Sequence, residues 1–116
     1  MNVLLVDSDE VTANATAFAL STGHNVRSVP TVREAMRAIE ESRPDAVVCE
    51  LMLDRGERGD VLLSWLRGRY PSIRRIVFCG GASPTGFDVD IAHAWVLKPD
   101  VRQVLWFLRA GVGLVR

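Results

Sequence analysis

Five short, mostly apolar runs punctuate the chain, at Val3–Val6, Asn25–Val29, Ala46–Cys49, Ile76–Cys79 and Ala94–Leu97, with a longer polar or helix-period stretch after each. Runs this short, alternating with helical stretches, have one economical solution: a parallel sheet covered by helices on both faces. The 116 residues leave no room for a second domain of this kind, so a single domain over residues 1–116 is expected. With 48% apolar residues the chain can build a real core without staples, and Cys49 and Cys79 are expected to stay thiols.

The helices can be placed from their punctuation. Thr31-Val32-Arg33-Glu34 has the spacing of a capping box and opens a helix with Val32, Met36 and Ile39 on one face, ending before Pro44. A second begins near Gly59, aligns Leu62, Trp65 and Leu66, and stops at Tyr70-Pro71, because the residue before proline is driven out of the helical region. The last carries Val101, Val104, Leu105 and Leu108, a full i, i+3, i+4, i+7 set. The fourth connection, Gly81 to His93, is rich in Gly, Ser and Pro at first and only weakly periodic afterwards, so its helix is expected to be short or irregular.

Fourteen basic residues balance fourteen acidic ones, and no basic cluster is longer than Arg74-Arg75. A direct nucleic-acid or anionic-membrane binder needs a concentrated positive field that is missing here. No apolar run approaches the ~18 residues of a membrane span, and the N-terminus lacks the look of a signal peptide. The expected location is the cytoplasm.

In an open parallel sheet, ligands bind beyond the carboxyl ends of the strands. The first run ends in Asp7-Ser8-Asp9-Glu10, the third in Glu50, the fourth in Cys79-Gly80 and the fifth in Lys98-Pro99. One edge therefore gathers carboxylates and an ammonium from distant parts of the chain.

Val3-Leu4-Leu5-Val6-Asp7, Pro44-Asp45-Ala46-Val47-Val48-Cys49-Glu50-Leu51-Met52-Leu53 and Trp95-Val96-Leu97-Lys98-Pro99 together resemble the response-regulator receiver domains of two-component signalling, over the whole chain. The resemblance implies a flavodoxin-like (βα)5 fold with strand order 2-1-3-4-5. It implies a pocket in which two adjacent acidic residues hold Mg²⁺, an aspartate accepts a phosphoryl group, a Ser or Thr hydrogen-bonds it and a lysine neutralises it. Here Asp7 and Lys98 match. Ser8 stands at the second acidic position, Glu50 at the phosphoacceptor position and Cys79 at the hydroxyl position. Asp54 replaces the usual proline, Arg55 and Arg58 add positive charge, and the loop to Gly59 is one residue longer.

These departures suggest a degenerate site, a pseudo-receiver. Mg²⁺ prefers near-octahedral oxygen ligation through carboxylates, so a site at Asp7 with a shifted Asp9 is expected to be weak or lost, leaving no cofactor or a loosely held Mg²⁺. Glu50 reaches about 1.5 Å further than aspartate and is placed to pair with Lys98, imitating part of the charge of a phosphoryl group. Cys79 offers only a weak S–H donor and reads as a small core residue. Blander readings stand beside these: Asp7, Asp9 and Glu10 as an acidic first helical turn, and Glu50 as a solvated strand end.

Output is then expected through a protein partner or a homodimer. The resemblance places the partner surface on the fourth helix, fifth strand and fifth helix, with Trp95 at the switch-aromatic position. Trp106 projects about 140° from the buried stripe of its helix, with Phe107 on the flank and Arg102 and Arg109 nearby, the composition of an interface. A still-active receiver binding Mg²⁺ weakly is one alternative. The other is a haloacid-dehalogenase-like phosphatase with Asp7 as nucleophile, since Asp7-Ser8-Asp9 fits that D-x-D pattern and Lys98 with Asp88 and Asp90 would complete it. Trp65 reads as core, and His24 and His93 as structural or surface residues.

Overall fold

The structure, a computed structural model, describes residues 1–81 and 86–110. Strands β1 (Asn2–Val6), β2 (Asn25–Val29), β3 (Ala46–Cys49), β4 (Arg74–Cys79) and β5 (Ala94–Leu97) form one parallel sheet in the order β2-β1-β3-β4-β5. Among the described residues four α-helices pack on it: α1 (Glu10–Leu20), α2 (Val32–Glu41), α3 (Gly59–Arg69) and α4 (Val101–Ala110). The fold class and strand order are those expected. The fourth connection is reduced, among the described residues, to a 3₁₀ turn at Val89–Ile91, so the last helix is α4.

Alternation along the strands divides the core into two layers. Leu4, Val6, Val47, Cys49, Val77 and Cys79 face α2, α3 and the fourth connection, and meet Ile39, Leu62 and Leu66 there. Val3, Leu5, Val48, Ile76 and Phe78 face α1 and α4, and meet Leu20, Val104 and Leu108. Cys49 is core, as expected, but it shares its layer with Cys79: Cys49 is in register with Val77, and Cys79 lies two residues further along the same face. Both are free thiols.

The Thr31 capping box forms. Its hydroxyl accepts from the Glu34 N–H at 3.1 Å and meets the Glu34 carboxylate at 3.2 Å. Glu57, from the lengthened loop, adds a second cap by accepting the Val32 N–H at 2.9 Å. That loop turns through Arg55 and Gly56, both at positive φ (62° and 73°), and a single bridge between Met52 and Arg58 closes it.

Strand β4 starts two residues before its apolar run, because Arg74 and Arg75 pair with Ala46 and Val47. Arg75 is only 5% exposed. Its guanidinium donates to the carbonyls of Ile91 (2.8 Å), Pro71 (3.3 Å) and Ile73 (3.5 Å), fastening the short fourth connection beneath the sheet. Arg74 reaches the Phe107 and Leu108 carbonyls at the end of α4, where a cation complements the helix dipole. As a basic dipeptide the pair reads as surface; tertiary placement alone gives each arginine its carbonyls.

Candidate functional site

The carboxyl ends of β1, β3 and β5 meet at one edge of the sheet. Lys98 follows β5, and its ammonium bridges two carboxylates: Asp7 Oδ2 at 2.7 Å and Glu50 Oε1 at 2.8 Å. The peptide joining Lys98 to Pro99 is cis. Asp7 is buried, and its other oxygen accepts the Asp9 N–H at 3.0 Å. Glu50 turns its second oxygen back onto the backbone, accepting from Leu51 N–H at 2.7 Å and Met52 N–H at 3.3 Å.

Burial alone would lower the pKa of the Lys98 ammonium; its hydrogen bonds and charge interactions with Asp7 and Glu50 outweigh that and hold it above the ordinary lysine range. A group raised on folding adds stability that is complete below its unfolded value, near ~10.4, and is lost as pH climbs through the folded value. Stability should therefore decline above about pH 10.5, and a Lys98→Met variant should have a flatter profile there. Denaturant midpoints measured from about pH 9 to 11.5 check this; parallel profiles would contradict it.

The other sequence candidates lie around this triad in different ways. Ser8 turns its hydroxyl to the Asp54 N–H at 2.9 Å, so two departures from the receiver pattern, Ser8 and Asp54, are joined in one contact. Asp9 is exposed at the start of α1 and accepts from the Thr12 hydroxyl at 2.8 Å, the bond that most lowers its pKa. Cys79 sits in the apolar layer, where its carbonyl accepts the Lys98 N–H at 2.8 Å. Cys49 lies just below Glu50, and burial pushes its thiol strongly up. Arg58 is engaged elsewhere, forked onto Asp60 at 3.0 Å with its guanidinium over Phe87 at 4.7 Å. Asp88 pairs with Arg67 at 3.0 Å.

This donor set does not fit Mg²⁺. One oxygen each of Asp7 and Glu50 is held by an ammonium, the others take backbone N–H groups, and the Ser8 hydroxyl is turned to Asp54. Among the described residues no cluster of three or more His, Cys, Asp or Glu is arranged to hold a metal ion.

The aromatic candidates fall in two layers around the edge strand β5. Trp95 is half-buried beside α3's layer, its indole N–H donating to the Val89 carbonyl at 2.9 Å and its ring 6.2 Å from Phe87. Trp106 is on the far side of the sheet, on the outer surface of α4, 55% exposed, with Phe107 edge-on at 5.0 Å. Leu97, two residues beyond Trp95 on the same face of β5, is exposed at the strand's end.

A doubly wound sheet in the order β2-β1-β3-β4-β5, with an acidic corner after its first strand and a lysine after its last, is an arrangement found in known folds. Solved structures agree. The chain has the fold of CheY-like response-regulator receiver domains: it superposes on the receiver domain protein from Methanospirillum hungatei JF-1 with a TM-score of 0.84, at 24% identity over 94% of this chain and 90% of that one. The receiver domain of NtrX from Brucella abortus gives 0.82 at 21% identity, covering 93% and 95% of the two chains. A receiver domain protein from Clostridium thermocellum gives 0.80 at 17%, covering 90% and 88%. No protein-family model matches the sequence, and neither does any curated protein.

Proposed function

We propose that the chain is a receiver-type signalling domain whose phosphoryl pocket is closed by its own Glu50, and that it signals by protein contact without accepting a phosphoryl group. The bridging of Lys98 between Asp7 and Glu50 carries this reading. Phosphoryl transfer relies on positioned cations to neutralise the charge on the transferring group. Here the one ammonium already serves two carboxylates, so the triad has a net charge of −1, and an incoming dianion meets repulsion. The nucleophilic position is compromised as well, since Glu50 is bonded through both oxygens.

Contact with a partner falls to the surface around β5, where Leu97, Trp106 and Phe107 present apolar and aromatic area beside Arg102 and Arg109, while Trp95 holds the fourth connection against the strand. Aromatic and arginine side chains are the groups that carry most interface energy. Among the described residues no helix is long and apolar enough to cross a membrane, which fits action in the cytoplasm.

Purified protein treated with acetyl phosphate or beryllofluoride and about 10 mM Mg²⁺ should keep its intact mass and its amide NMR positions at Glu50, Lys98 and Trp95. A Mg²⁺-dependent adduct, or shifts at those amides, would reject the proposal.

A further inference from the structure

Helix α1 buries Ala13, Thr16 and Leu20 against the sheet. Its other side is apolar too. Val11 is 79% exposed and Phe18 83%, and with Ala15 they form a second stripe at i, i+4, i+7. Glu10 is the one charged residue in the helix. A single exposed valine or phenylalanine is ordinary, but an outer helix face is normally polar.

We propose that this stripe is a homodimer surface, on which two copies of α1 cross antiparallel about a two-fold axis at Ala15. Self-complementarity is the first argument. Val11 lies four residues before Ala15 and Phe18 three after it, so the axis sets each Phe18 over the Val11 of the second copy, with the small Ala15 letting the helices approach.

Charge is the second. Asp9 and Glu10 stand at the N-terminal end of α1, while Arg109 of α4 lies near its C-terminal end. His24 marks that end: its pKa is lowered by burial, by the terminal ammonium and by Arg109. An antiparallel pair sets each acidic end against the second copy's Arg109 and opposes the helix dipoles favourably; a parallel pair would set acid on acid. One 11-residue helix per copy, about 16 Å long, gives an interface below the ~1,200 Å² of a standard complex, so the dimer is transient, with a Kd of roughly 10–500 µM. None of this depends on the state of the phosphoryl pocket.

Sedimentation velocity of the whole chain from about 10 µM to 1 mM should show the mass rising from 12.8 kDa towards double. Phe18→Glu, at a site too exposed to endanger folding, should abolish the rise. Glu10→Arg should weaken it at least several-fold, and adding Arg109→Glu should restore it. Under mild oxidation Ala15→Cys should form a disulfide-linked dimer, since Cys49 and Cys79 are buried, whereas Arg33→Cys on α2 should not. A monomeric mass throughout, whether residues 111–116 or another protein covers the stripe, would overturn the proposal. So would association that survives Phe18→Glu, or equal cross-linking at Arg33→Cys.

Discussion

Replacing Lys98 with methionine is expected to lower the unfolding free energy by about 3 kcal/mol, within the ~3–5 kcal/mol typical of breaking a buried ion pair by removing one partner. The cause is what remains. Asp7 and Glu50 now share one ammonium, at 2.7 and 2.8 Å, and both are largely removed from water. Without it, two carboxylates face each other in a low-dielectric pocket, and like charges there repel strongly. Denaturant melts at pH 7 should show the loss as a lowered midpoint. Adding Glu50→Gln to Lys98→Met should recover a large part of the loss. An unchanged midpoint for Lys98→Met would mean that the triad contributes nothing to the fold.

Gly59→Ala should be comparably damaging, by about 3 kcal/mol, the upper end of ordinary overpacking. A Cβ at Gly59 would lie well inside contact distance of the Glu50 carbonyl oxygen and 2.8 Å from Cys49 Sγ. The obstacle is backbone, which cannot swing aside, and the Gly59 N–H is tied to the Leu51 carbonyl at 2.7 Å. Gly68, in the same helix, makes the control: a Cβ there meets nothing within 4 Å. Gly68→Ala should stabilise by about 0.5–1 kcal/mol through helix propensity. Thermal or denaturant melts of the two variants should move in opposite directions, and a shift of the same sign in both would refute the close-approach argument.

What could be read from residues alone follows from which forces are local. The strand runs, the Thr31 cap, the stop at Tyr70-Pro71 and the shortness of the fourth connection depend on neighbouring residues, and all were legible. So was the gathering of Asp7, Glu50 and Lys98 at one sheet edge, because strand ends in a parallel sheet converge whatever the loops do. Side-chain choices made across the fold were not legible. Ser8 and Asp54 read as separate oddities, and only the folded loop shows that one bonds the other. Arg58 looked like charge for the pocket, yet it finds Asp60 next to it and Phe87 beyond. Helix α1 gave no stripe to read, since apolar residues on both sides cancel the periodicity that would have named its inner face.

The bond from Lys98 to Asp7 spans 91 residues of sequence, joining the end of the last strand to the end of the first. It closes nearly the whole chain into a loop, and the contact that offsets the entropy of that closure forms only when β3 and β4 lie between β1 and β5. The triad is therefore expected to form late in assembly, after the folding barrier has been crossed. Its loss should appear in the rate at which the native state opens and leave the rate of its formation almost untouched. On that reading, the three charged residues at this sheet edge act as timekeepers of the fold's lifetime.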